Sequence, residues 1–185
     1  MEFMNAARDG LSRPDARFPD WPSSYFPGIS FNPDSLRSEV IDDQLCEAAL
    51  NAAPDPGDRV FVLLARGRSN EAAELVAELR MADPGSLRLQ VLEADVAASV
   101  NDTDRAIRLL QYLAKEQRGQ ASEASVRQHL GRAYFRAGKY QSAAGNFASA
   151  LDLRVAAGAS AALIYSSTVA LQRARELSES TASVA

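Results

Sequence analysis

The sequence predicts an all-α chain of stacked helix pairs. Three observations carry that expectation. Apolar residues recur at helical spacing along most of the chain. No segment sustains the period-two alternation of a half-buried strand, so no sheet is expected. Alanines that open every second helical run recur at a nearly constant interval: Ala72 and Ala106 are 34 residues apart, and Ala143 follows 37 residues later.

The elements follow in chain order. Residues 1–32 differ from the rest. Pro14, Pro19, Pro22 and Pro27 remove backbone donors and restrict the residue before each of them, so this stretch reads as an irregular arm. It also holds Phe18, Trp21, Tyr25, Phe26 and Phe31, and a purely solvating tail is poor in aromatics. The arm is therefore expected to dock, either in a groove of its own chain or on a second copy. Asn32-Pro33 carries a favourable N-cap followed by a proline suited to a first helical position. A capping helix is expected over 34–51, with Leu36, Val40, Leu45, Ala48 and Ala49 on its apolar face.

From Ala53-Pro54-Asp55-Pro56-Gly57 onward the pattern is helix, short turn, helix. The runs are Val60 to Ala65, Glu71 to Met81, Leu87 to Val100, Ala106 to Gln117, Glu123 to Arg136, and Tyr140 to Val155. Gly67, Pro84-Gly85, Asn101-Asp102 and Gly138 punctuate them. A last run, Ala161 to Leu177, suits a capping helix with Leu163, Ile164, Val169, Leu171 and Ala174 inward. Residues 178–185 are expected to form a disordered tail. The chain thus divides into an arm (1–32), a helical domain (33–177) and a tail. The domain holds repeat units 53–86, 87–120 and 124–157 between capping helices 34–51 and 161–177.

The third unit reads Leu130-Gly131-Arg132-Ala133-Tyr134, then Gly138-Lys139-Tyr140, then Ala143, Phe147 and Ala150. With the 34-residue period, this resembles the tetratricopeptide repeat (TPR) family. Small Gly131 and Ala143 let two helices approach, Tyr134 and Phe147 fill the space between them, and Gly138 permits the turn. The match thins toward the N-terminus. Unit one keeps Gly67, Ala72, Val76, Leu79 and Pro84. Unit two keeps Ala94, Ala106, Leu110 and Leu113, with Asn101 in the glycine's place. Arg127 stands where the family often has Trp, and Val155 where it often has Pro. The plainer alternative is a generic antiparallel helical bundle.

The resemblance implies a right-handed superhelix whose concave groove is lined by the first helix of each unit. Carried over, the groove residues are Phe61 and Leu64 in unit one, Arg88, Val91, Leu92 and Asp95 in unit two, and Gln128, His129, Arg132, Phe135 and Arg136 in unit three. A groove apolar at one end and basic at the other suits a protein or peptide partner with an acidic segment. The plain reading of Arg132 and Arg136, four residues apart, is a solvated face. The Lys/Asn clamp by which some TPR domains grip a terminal carboxylate is absent, since Gly57, Phe61, Val91 and Asp95 stand at its positions. The expected function is a non-catalytic adaptor or scaffold. The alternative is a small dedicated chaperone with a single client, as in bacterial secretion systems. Capture would separate them: several substoichiometric partners against one stoichiometric client. Three units are close to the minimum for a stable stack, so a homodimer through an exposed end is also expected as a possibility.

Composition narrows the classes. The formal charge is −4 and the pI about 5.1, without the basic stripe of a nucleic-acid binder. No uninterrupted apolar run approaches the ~18 residues of a membrane span. The absence of a basic flank before an apolar run, and the single cysteine, Cys46, point to a cytoplasmic protein. Cys46 and the only histidine, His129, lie far apart in sequence and are not expected to form a catalytic pair. Asp43 and Glu47, one turn apart, are a weak cation candidate and more simply a solvated face. No catalytic, cofactor-binding or metal-ligating residue is expected.

Overall fold

A computed structural model describes residues 21–52 and 55–183. Among these residues eight helices carry the fold: α1 (Asp43–Asn51), α2 (Pro56–Ala65), α3 (Ser69–Ala82), α4 (Leu87–Ser99), α5 (Thr103–Glu116), α6 (Glu123–Arg136), α7 (Tyr140–Ala156) and α8 (Ala161–Ala182). The chain is mostly helical, as the periodicity predicts. No described helix is long and apolar enough to cross a membrane. Phe18, Pro14 and Pro19 of the expected arm lie outside the described residues.

The helix boundaries have local causes. Pro56 opens α2 at a position where its missing N–H costs nothing, and Asp55 and Asp58 close a reciprocal capping box around it. Ser86, Asp102 and Ser160 accept from the third residue of α4, α5 and α8 in the same way. The turns inside the pairs α2–α3, α4–α5 and α6–α7 each place one residue in the left-handed region: Gly67 (φ 73°), Asn101 (φ 67°) and Gly138 (φ 71°). Asn tolerates that region better than other side chains, which explains why Asn101 stands in for glycine.

Sequential helices pack on one another from α2 through α8. In addition α2 touches α4, and α4 touches α6. Helices α2, α4 and α6 therefore form one contiguous row, and their partners α3, α5 and α7 lie behind it. Three apolar clusters fill the interior. One joins Cys46, Val60, Val62, Ala72 and Val76 across α1–α3. A second joins Ala94, Ala106, Leu110, Val126 and Leu130 across α4–α6. A third joins Phe135, Ala143, Phe147, Ala170, Leu171 and Ala174 across α6–α8.

Four expectations need correction. The capping helix over 34–51 is helical only from Asp43. Asn32 does cap, its Oδ1 accepting from the amides of Asp34 (2.9 Å) and Ser35 (3.2 Å). But Leu36 adopts φ 55° after a single turn, and Asn32 N–H donates to Arg37 O at 2.8 Å, so the chain reverses. Second, a sheet is present. Strand β1 (Ile29–Phe31) pairs antiparallel with β2 (Ser38–Val40), with Ile29 opposite Val40 and Phe31 opposite Ser38. The irregular arm thus ends in a hairpin. Third, α8 continues to Ala182, so residues 178–182 of the expected tail are helical. Fourth, Leu163 is 45% exposed rather than inward: it is one turn before Ser167 on the same face, in the first turn of α8, where it borders an open recess.

Helices α6 and α7 pack closely at Gly131, where an added Cβ would lie 2.5 Å from the fully buried ring of Phe147. Gly131→Ala should therefore lose about 1–3 kcal/mol of stability in urea unfolding through overpacking. Gly145, exposed in α7 with nothing near its missing Cβ, should behave oppositely. Gly145→Ala should gain up to about 1 kcal/mol from helix propensity. Equal effects at the two sites would contradict the packing described.

Candidate functional site

The eleven groove residues come from α2, α4 and α6, and the contacts between these helices bring them to one face. All eleven line one of three adjoining recesses there. The face is not open. The hairpin and the loop before it, residues 21–41, cross it and divide it into two main clefts.

Aromatic and cationic groups seat the crossing. The Tyr25 ring lies 4.9 Å from that of Phe61, and the Arg88 guanidinium lies 5.3 Å from the Tyr25 centroid. Arg88 Nη2 donates to Tyr25 Oη at 2.8 Å. On the other side, the Arg132 guanidinium stacks over Phe31 at 3.8 Å. Phe31 and Arg132 border both clefts and form the partition between them.

The first cleft, of about 480 Å³, opens between the hairpin, the C-terminal end of α2, the C-terminal half of α4, and α6. Leu64, Asp95, Arg132 and Arg136 line it, with Arg37 and Glu39 from the hairpin. The second cleft, of about 400 Å³, lies between the loop before the hairpin, the N-terminal half of α4, α6 and the start of α8. Arg88, Val91, Leu92, Gln128, His129 and Arg132 line it, and Phe61 borders both clefts. Phe135 sits with Arg136 beside a third, shallower recess.

The expected groove residues do different things. Phe61 and Leu92 belong to the first apolar cluster, Val91 to the second and Phe135 to the third. Arg88 is neutralised, with Nη1 2.8 Å from Asp55 Oδ1 and Nη2 against Asp58 Oδ1. His129 Nδ1 sits 2.9 Å from Asp95 Oδ2. Arg132 and Arg136 have no carboxylate within ion-pair distance among the described residues. Burial lowers the pKa of Arg132 to about 10; Asp95 opposes that shift, and the charges of Arg154 and Arg136 reinforce it. Burial also lowers that of Arg136, with Arg37 adding repulsion.

The cation candidate at Asp43 and Glu47 resolves into a surface ion pair. Arg66 Nη2 lies 2.7 Å from Asp43 and 2.6 Å from Glu47. Cys46 is fully buried in the first cluster, beneath Gly28. Sequence reasoning missed Arg154, which enters the second cleft from α7. A signal was available: Arg154 continues the stripe Ala143, Phe147, Ala150 at helical spacing, so it occupies an inward position.

Comparison with protein-family profiles, with characterised proteins and with solved structures gives no match to this chain. The site is therefore argued from its own geometry.

Tyr25 is 62% exposed, but its packing against Phe61 and Arg88 removes enough hydration from the phenol to raise its pKa to about 12, against the opposing pull of Arg88. The neutral phenol is the form the docked loop favours. Its contribution to stability is complete below the ordinary value of 10.0, and is lost as pH rises from there toward 12. In an alkaline titration followed by phenolate absorbance, Tyr25 should give a phase above the ordinary tyrosine value of 10.0. Tyr25→Phe should remove the late phase. A titration in which that substitution removes an early phase would mean the loop is not docked.

Proposed function

We propose that the chain is a non-catalytic adaptor of the TPR type, holding a segment of a partner protein against the face formed by α2, α4 and α6. The observation that carries this is the convergence of those three helices' charged and apolar residues on one recessed face. Arg132 and Arg136 lie there without carboxylate partners among the described residues. The period, the left-handed residue in each intra-pair turn and the Gly131–Phe147 approach support the TPR assignment and its superhelical stacking.

The first cleft is the place for the partner. Arg37, Arg132 and Arg136 border it, and an acidic side chain would relieve their mutual repulsion. The hairpin across the face limits the partner to a short contact rather than a long threaded segment. The chain's own Tyr25 and Phe31 illustrate how the face receives aromatic side chains from extended backbone.

The test is affinity capture from the native source followed by mass spectrometry, comparing wild type with Arg132→Glu/Arg136→Glu. A partner should be retained by wild type and depleted at least about ten-fold by the double substitution, the scale for losing charged hydrogen bonds. Retention should fall with added salt. Unchanged recovery from a folded double variant would remove the face from the interaction. A well-folded wild-type bait that retains nothing would count against the adaptor reading itself.

A further inference from the structure

We propose that the second cleft is a binding site for a small apolar carboxylic acid, with the carboxylate held between Arg132 and Arg154 and the apolar body against α4 and the loop before the hairpin. The proposal does not rest on the adaptor reading, because it concerns a different cleft and a different chemical class.

The first observation is a charge imbalance. Three partly buried arginines elsewhere are matched by carboxylates, Arg66 by Asp43 and Glu47, Arg80 by Glu93 and Arg127 by Glu123, whereas Arg136 is not matched among the described residues. Arg154 is only 8% exposed and has no carboxylate within ion-pair distance among the described residues. Arg132, partly buried, also lacks one, and lies close enough to Arg154 for that charge to disfavour its own. Buried cations without a counter-charge are costly, and an anion between them removes that cost.

The second observation is how Arg154 is held. Its Nη1 donates to Leu163 O at 2.8 Å and to Ser167 Oγ at 2.6 Å. Ser167 Oγ in turn donates to Gln128 Oε1 at 2.7 Å. These acceptors are neutral, so they fix the guanidinium without discharging it. The remaining N–H groups of Arg154 have no acceptor among the described residues. Rigid placement of a fork donor at the wall of a cavity is what recognition of a planar carboxylate requires.

The third observation is independent of both arginines. Gln128 is 2% exposed, lines the same cleft, and its Nε2 has no hydrogen-bond partner among the described residues. Buried amide donors are rarely left unpaired. Its Oε1 is already engaged by Ser167, so what it can still offer is a donor, the complement of an anionic oxygen.

The opposite wall sets the rest of the ligand. Leu87, Val91 and Leu92 of α4, with Phe61 and Phe31, make it apolar. A cavity of about 400 Å³ lies within the range of small-molecule sites and is walled by the chain's own loop. Asp95, near enough to favour the charge on Arg132, offsets part of the positive field. That leaves a balance suited to one negative charge rather than two.

The test uses the full chain with three probes: decanoate below its micelle concentration, neutral methyl decanoate, and an N-acetylated dipeptide acid ending in leucine. Calorimetry should give one decanoate per chain, with a raised melting temperature. The methyl ester should bind at least about ten-fold more weakly, as expected for loss of charged hydrogen bonds. Arg132→Gln, whose side chain makes no described hydrogen bond, should weaken decanoate by a similar factor without unfolding the chain. Arg154→Gln should do the same, and is informative if its circular dichroism remains native. Arg136→Gln, which lies outside this cleft, should leave decanoate binding unchanged. Equal affinity for acid and ester, indifference to Arg132→Gln, or no decanoate binding by the folded chain would each overturn the proposal. So would binding of the dipeptide acid alone, which would place the carboxylate on a chain terminus.

Discussion

Residues 21–41 are wedged between the first and last helices, and the shape of the recessed face of α2, α4 and α6 depends on that wedge. Phe26 and Ile29 are buried in the cluster that also holds Cys46, Val60 and Val76. Leu36 is buried in the cluster of Phe135, Phe147 and Leu171, at the other end of the row. A hairpin with three-residue strands has no independent stability. It persists because its two ends are anchored in two different cores. The close passage at Gly28 is part of the same constraint. Its φ is +77°, and any Cβ would lie 2.3 Å from Asp42 O and 2.8 Å from Cys46 N. The loop can reach the first cluster only through a residue without a side chain. At the far end Arg173 Nη2 approaches Asp34 Oδ1 at 3.7 Å, a mostly exposed pair that adds little beside the apolar burial.

This wedge changes the meaning of the arginines beneath it. On an open face, Arg132 and Arg136 would be solvated and unremarkable, the plain reading of their spacing. Covered by Phe31 and the hairpin, Arg132 loses hydration and gains a ring face, which compensates only part of the loss. Its lowered pKa expresses that deficit. Arg88 shows the other outcome under the same loop: Asp55, Asp58 and the Tyr25 hydroxyl supply the acceptors, and the pKa is raised. Two arginines on one face thus differ in function because of what the chain places opposite them. Arg88 fastens the loop, and Arg132 faces the clefts with donors to spare.

The helical part of the fold was legible because its signals are local. Apolar period, turn residues and caps lie within a few positions of one another, and Gly67, Asn101 and Gly138 mark the intra-pair turns directly. The hairpin was not legible. Three-residue strands are too short for alternation to register, and Asn32-Pro33 carries a genuine capping signal that serves one turn instead of a helix. What decides the outcome is Leu36, whose burial more than 90 residues away in sequence, against Phe135, outweighs the cost of a left-handed leucine. The site was legible to a similar depth. Helix phase placed all eleven residues on one face. It could not reveal that Phe61, Leu92 and Phe135 are also core, that Arg88 is already paired, or that Arg154 arrives from the helix behind.

Arg154 joins the structural and functional arguments. It links α7 to α8 through Leu163 O and Ser167, and Ser167 links α8 to Gln128 on α6. A fully buried serine at position 167 would ordinarily weaken an apolar helix interface. Here its hydroxyl is satisfied on both sides, accepting from Arg154 and donating to Gln128. Apolar residues at the same three positions would pack α6, α7 and α8 with less specificity and leave no fixed donors at the cleft. A polar network that only held helices together would be expected to satisfy its own members. Among the described residues this one leaves Gln128 Nε2 and part of Arg154 unpaired, and both residues line the second cleft.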